Sequence, residues 1–230
     1  MLTPIKYQNQ KIKLIIFDWD GTLLDSLSPL TESFIETCKD MDLNKPTIND
    51  IRQSFGHKPE QIIYQFFPEE STKNKDFTLI FTSKFRNFYQ KKSAKLFPGS
   101  KLVLERLSQK GYKLAIATNK TRPLLEKELG ETAVESLISM SQTPSEQPAK
   151  PNPSMLTHIV DAHGLHAENC LMVGDHENDI LAAKAAHIPV VVIAENSSTA
   201  EKLTYHQPHA IISSIENLPD WVQQDLTIQA

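Results

Sequence analysis

Asp18 and Asp20 end the apolar run Ile12-Lys13-Leu14-Ile15-Ile16-Phe17 and are followed at once by Gly21 and Thr22. A near-continuous apolar segment reads as a buried parallel strand, and ligands of open α/β sheets gather beyond the carboxyl ends of such strands. Side chains two apart on a strand point the same way, so both carboxylates can reach one centre, while Gly21 lets the backbone turn sharply away. A second pair, Asp175 and Asp179, follows another apolar run, Leu171-Met172-Val173. Two unit charges about 4 Å apart interact by roughly 4 kcal/mol at an effective dielectric near 20, so converging carboxylates bind a cation or protonate. An all-oxygen donor set suits Mg2+, which takes one or two carboxylates, waters and a phosphate oxygen. Asp18 and Asp175 are the expected side-chain ligands, with Asp179 orienting a metal water or pairing with Lys150. The plainer alternative is a turn with helix-capping acids, common for a lone Asp at a strand end.

The elements that must position these groups change character along the chain. From Leu27 to Lys92 the pattern is helical and shows no convincing strand. Leu30, Phe34 and Ile35 recur at helical spacing, and Thr47-Ile48-Asn49-Asp50 offers a helix start before Ile51 and Phe55, with Gly56 as a stop. Phe77, Ile80, Phe81, Phe85 and Phe88 make an aromatic and aliphatic stripe that reads as packed core. The division this predicts is a core of residues 1–26 and 94–230 with a helical bundle, 27–93, inserted. Phe97-Pro98-Gly99 closes the insertion. A helix from about Ser100 to Lys110, ended by Gly111, then leads into a strand from Tyr112 to Ala117. Leu171 to Val173, Pro189 to Ala194 and Ala210 to Ile212 are further strand candidates, separated by helix-compatible segments such as Asp179 to Ala186. The alternation predicts an α/β fold, a doubly wound parallel sheet with helices on both faces. Ser141 to Pro153 reads as a polar, proline-rich loop holding Lys150, and Gln223 to Ala230 as a frayed end.

Composition narrows the classes. The 230 residues carry 24 basic and 28 acidic side chains, a formal charge of −4, with no basic block to act as a footprint on nucleic acid. Met1 to Gln10 lacks the apolar centre of a secretory signal, and no apolar run approaches the roughly 20 residues needed to span a bilayer. The expectation is a cytoplasmic protein with no membrane partner. Cys38 and Cys170 are too few for a disulfide framework and lack metal-ligand spacing, so both read as ordinary thiols.

Asp18-Trp19-Asp20-Gly21-Thr22-Leu23 resembles the first motif of the haloacid dehalogenase superfamily, in the form carried by its Mg2+-dependent phosphatases. Ala117-Thr118-Asn119-Lys120, Lys150-Pro151-Asn152-Pro153 and Val173-Gly174-Asp175-His176-Glu177-Asn178-Asp179 resemble its later motifs, in the same order and over most of the chain. Within the superfamily the chain looks most like the phosphoglycolate phosphatase group. The resemblance implies a Rossmann-like core with a helical cap, the first strand lying between those that end at Thr118 and Asp175. It also implies hydrolysis of a small phosphomonoester through an aspartyl phosphate. Asp18 would be the nucleophile, and Asp20 the acid toward the leaving alkoxide and then the base toward water. The backbone carbonyl of Asp20 would join Asp18 and Asp175 on the metal. Thr118, its neighbouring amides and Lys150 would hold the transferring phosphoryl group. Thr118 could equally cap a helix, and Asn119 and Lys120 contact phosphate or substrate, or open the helix that follows. Arg52, His57 and Lys58, around Gly56, could receive an anionic part of the substrate. His176 stands where similar proteins often carry a small hydroxyl residue and takes no assigned role. Dehalogenases of this fold lack an acid at the position of Asp20, which favours phosphate chemistry.

A phosphosugar mutase would share all four motifs, and a phosphonate hydrolase would need a Schiff-base lysine, for which Lys58 is the nearest candidate. A non-catalytic phospho-ligand-binding protein is the alternative outside enzymology. A receiver domain has related groups but places its phosphorylated Asp after a later strand and has no insertion after the first. The chain is expected to act as a monomer or homodimer.

Overall fold

The structure, a computed structural model, describes residues 12–54 and 59–227. In chain order the elements are β1 (Leu14–Phe17), α1 (Leu27–Asp40), α2 (Ile48–Ser54), α3 (Pro59–Phe66), α4 (Pro68–Lys73), α5 (Phe77–Tyr89), α6 (Ser100–Gln109), β2 (Lys113–Ala117), α7 (Arg122–Thr132), β3 (Met140–Gln142), α8 (Ser154–Ala162), β4 (Cys170–Gly174), α9 (Glu177–Ala185), β5 (Val190–Ile193), α10 (Ser197–Thr204), β6 (Ala210–Ile212) and α11 (Leu218–Thr227). The chain divides into two compact units, one of Met1–Asp25 with Lys95–Ala230 and one of Ser26–Ala94.

In the first unit the six strands form one parallel sheet in the order β3-β2-β1-β4-β5-β6. Every side chain of β1 is fully buried, as a central strand covered on both faces requires. The neighbouring strands are buried throughout apart from Lys113 at the start of β2, and Val190-Val191-Val192-Ile193 of β5 supplies four consecutive β-branched residues that fit a pleated surface. One side of the core joins Ile16, Ala115 and Met172 to Met155, Leu156 and Ile159 of α8 and to Ile180 and Ala183 of α9. Gly111, at φ +88°, ends the segment after α6 as its sequence position predicts. The segment from Ser141 is a loop in the sequence reading, but Ser141 and Gln142 belong to β3. Three residues at a sheet edge are too few, and Met-Ser-Gln too polar, to leave a periodic signature.

The second unit packs around Phe34 and Cys38 of α1, Ile51 of α2, Ile62 and Ile63 of α3, Phe67, and Phe77 and Phe81 of α5. Phe34 and Phe81 rings lie 5.0 Å apart, centroid to centroid. The predicted stripe on α5 is narrower than expected: Phe77 and Phe81 are buried and Phe85 packs beside them, whereas Ile80 is exposed and Phe88 lies under the Lys91 ammonium. Thr47 caps α2, its hydroxyl accepting the Asp50 amide. Burial pushes the Cys38 and Cys170 thiols up to about 11 and about 12, which keeps them inert. Among the described residues no helix is long and apolar enough to cross a membrane.

Candidate active site

Register brings the motifs together. Phe17 pairs with Ile116 on one side and Val173 on the other, so Asp18, Thr118 and Asp175 all emerge at the carboxyl edge of three adjacent strands. The Asp18 amide still donates to the Val173 carbonyl at 2.8 Å, after which the chain turns at Gly21, φ +79°. A side chain there would be strained, and its Cβ would lie 2.2 Å from an Asp175 carboxylate oxygen. Gly174 shows the same economy of space, since a Cβ would fall 2.3 Å from Asp179 Oδ2.

Oxygens of Asp18, Asp175 and Asp179 all lie within 4.8 Å of one another. Lys150 enters between two of them, its ammonium 2.7 Å from Asp18 Oδ1 and 2.6 Å from Asp179 Oδ1. Burial works against the Lys150 charge, but the two carboxylates more than offset it and hold its pKa above the ordinary value. Burial likewise pushes Asp18 up to about 6, opposed by Lys150 and reinforced by Asp179. Asp175 is raised well above the usual carboxylate range by burial and by the charges of Asp18 and Asp179, against the pull of the Thr22 hydroxyl. Three carboxylates facing one ammonium leave two negative charges, the charge of one divalent cation.

The bonds within the cluster show which oxygens such a cation would find. Asp179 Oδ1 accepts from Lys150, while Oδ2 accepts the amides of Asp175 and His176, at 3.2 and 3.1 Å. Asp179 is thereby committed to the protein. Asp175 Oδ1 accepts the Thr22 hydroxyl at 2.9 Å. Asp175 Oδ2 stands apart from these bonds, the Asp18 carboxylate also accepts a backbone bond from Trp19, and hard oxygen donors of this kind fit Mg2+ better than a thiolate- or imidazole-seeking metal. His176, without an assigned role from sequence, accepts the Asn178 amide through Nδ1 and so caps α9.

Thr118 is buried and is not the cap of α7, which starts at Arg122 behind Thr121. Its amide is spent on the Gln142 carbonyl, so it does not serve an anion. Its hydroxyl accepts the Lys120 amide at 3.3 Å and retains its own proton to donate. Asn119, expected to touch substrate or open a helix, grips the backbone of Lys150. Its Oδ1 accepts the Lys150 amide at 2.8 Å and its Nδ2 donates to the Lys150 carbonyl at 2.9 Å. The Arg52 side chain, His57 and Lys58 lie outside the described residues.

Several contributors escape a reading by motif. Thr22 orients Asp175. Glu128, buried on α7, accepts from Trp19 and Lys120. Arg122 forks onto Glu146, with both contacts at 3.0 Å, and binds the Ser141 hydroxyl and carbonyl, tying down the start of the loop that leads to Lys150. The Arg122 bond holds Glu146 down at about 2. Only the Gly-Thr behind Asp20 carried a sequence signal for any of these; Glu128 and Glu146 stand in no motif.

Comparison with known proteins yields a match to the family model of haloacid dehalogenase-like hydrolases over residues 15–193. A phosphoglycolate phosphatase of Aliivibrio fischeri is 30% identical over 219 residues, covering 91% of this chain and 96% of its own. Among solved structures, a predicted phosphoglycolate phosphatase from Haemophilus somnus aligns with a TM-score of 0.70 at 26% identity, covering 92% of this chain and 98% of its own. A family hydrolase from Deinococcus radiodurans, solved with bound phosphate and sodium, aligns at a TM-score of 0.78 and 17% identity, covering 94% and 97%, and speaks for the fold alone.

Proposed function

The chain belongs to the haloacid dehalogenase-like hydrolases, and from that premise we propose that it is a Mg2+-dependent phosphatase of a small phosphomonoester of the phosphoglycolate type. The observation that carries this reading is the charge of the cluster: three gathered carboxylates against Lys150. An oxygen of the Asp18 carboxylate attacks phosphorus, and the ester oxygen departs as the alcohol, taking its proton from Asp20. Asp20, now a carboxylate, takes a proton from water as that water attacks phosphorus, and the bond to Asp18 breaks to release phosphate. Lys150 and the Thr118 hydroxyl donate to the equatorial phosphoryl oxygens, where fixed donors act at no reorganisation cost. When bound, Mg2+, held by Asp18, Asp175 and the Asp20 carbonyl, neutralises phosphoryl charge. Asp179 touches no reacting atom and keeps Lys150 aimed. An acid at position 20 supports a leaving alkoxide rather than a halide, which needs no proton.

The test is phosphate release from phosphoglycolate, sugar phosphates and nucleotides, with Mg2+ or EDTA and with Asp18→Asn as control. Selective release that needs Mg2+ and is lost in the variant is the expected outcome. Interconversion of sugar phosphates without net release would replace the phosphatase with a mutase, and binding without turnover would replace it with a phospho-ligand-binding protein. Arg52→Ala and His57→Ala, assayed on the substrate found, report whether that loop reads an anionic group through KM.

A further inference from the structure

Residue alternation sends Asp18 and Asp20 toward the crevice and Trp19 between them into the protein, where it is completely buried. The Trp19 indole N–H donates to Glu128 Oε2 at 2.8 Å. Glu128, 5% exposed, also holds the Lys120 ammonium, at 2.7 and 2.6 Å from its two oxygens. The same ammonium lies 2.8 Å from Asp20 Oδ1. A carboxylate and an ammonium out of water persist only where their bonds are met, and here Glu128 cancels the charge of Lys120 while Trp19 fixes Glu128. Asp20 Oδ1 is shut off from solvent and has no well-aligned hydrogen bond of its own, yet the Asp20 side chain stays 34% exposed. The open part of the carboxyl is therefore on the Oδ2 side.

We propose that Trp19, Glu128 and Lys120 are positioning residues for the acid–base step, a buried relay that pins Asp20 Oδ1 and aims Oδ2 at the leaving oxygen. The relay rests on the reading of Asp20 as the group that protonates the departing alcohol. Lys120 is close to neutral in effect because Glu128 is its counter-ion, so it anchors Asp20 without dragging the carboxyl off the crevice. Loss of Glu128 makes Asp20 the nearest counter-ion of a buried ammonium, which pulls the acid away from its target.

The experiment compares kcat/KM for an alkyl phosphate, which needs the proton, with that for p-nitrophenyl phosphate, whose leaving group departs unaided. This parameter covers the steps up to alcohol release and excludes hydrolysis of the phosphoenzyme. Glu128→Gln and Trp19→Phe are each expected to lower the alkyl value roughly tenfold or more, since small displacements of a general acid are costly, while changing the aryl value by less than about threefold. Because single changes leave buried charge unpaired, the double variant Lys120→Met/Glu128→Gln, which removes both charges, guards against misfolding and should show the same split. Lys120→Arg, which keeps the cation and its Glu128 partner, should lose less of the alkyl value than the double variant. Equal losses on both esters in the folded double variant, or no loss on either, overturn the relay. Absence of any turnover in the unsubstituted protein overturns the phosphatase reading and the relay with it.

Discussion

Gly174→Ala is the smallest change that should dismantle the site. The added Cβ would lie 2.3 Å from Asp179 Oδ2, 2.4 Å from Cγ and 2.6 Å from Cβ. Because the Asp179 Cβ itself is in the way, rotation of the carboxyl cannot relieve the clash, and the start of α9 must move. Three bonds then go. The 2.6 Å bond to Lys150 is a buried ion pair, and breaking one costs about 3–5 kcal/mol when the partner is left alone. Lys150 keeps Asp18 at 2.7 Å, so about 2 kcal/mol is the fairer figure. The Asp175 and His176 amides lose bonds that are long, 3.2 and 3.1 Å, for roughly 1–2 kcal/mol together. Alanine returns about 0.5–1 kcal/mol through lower chain entropy. The net loss is roughly 3 kcal/mol, or about 6–12 °C in Tm for a chain of this size. Gly130→Ala is the matched control: it lies in α7, a Cβ there meets nothing within 4 Å, and it should gain about 0.5–1 kcal/mol. Circular dichroism melts in EDTA compare the two. A Gly174→Ala variant melting within about 2 °C of the parent would refute the reasoning, because it would mean Asp179 is not held where its bonds require.

Mg2+ at about 100 times its Kd should stabilise the protein by about 2.7 kcal/mol, EDTA should reverse the shift, and Asp175→Asn should abolish it, all readable in thermal melts without substrate. Glu146 sits at about 2 against an ordinary 4.5, chiefly through Arg122, so its contribution is complete above about pH 4.5 and fades as pH falls toward 2. It is about a third exposed, which limits the value to about 1 kcal/mol; urea melts of Glu146→Gln should fall below the parent at pH 7 and converge with it near pH 2.5, and an equal gap at both would contradict the ionic account. Asn119→Ala should cost about 1–2 kcal/mol and lower kcat by releasing the Lys150 backbone, and Asn119→Asp should fail to restore it because a carboxylate cannot donate to the Lys150 carbonyl; a pure rise in KM would instead mark Asn119 as a substrate contact.

The sheet was legible because its strands are nearly pure apolar runs, and such runs ending in Asp18, Thr118 and near Asp175 announce a parallel α/β core with its ligand edge. Strand β3 was not, being short, polar and stabilised by its neighbour β2 rather than by its own composition. The α5 stripe was legible as helical but overdrawn, since periodicity gives a face and packing decides how much of it is covered. At the site, residue types and spacing determined the chemistry available: acids two apart, a hydroxyl, a lysine restrained by proline. Tertiary structure decided how each group is used. It committed Asp179 to Lys150 and two amides, turned Asn119 onto the Lys150 backbone, made His176 a helix cap, and buried Glu128 beside Trp19, 109 positions away in the chain. Local sequence sets which side chains leave a strand end together, because backbone alternation is a short-range property. Which donors and acceptors those side chains meet depends on segments that only the folded sheet brings within 3 Å.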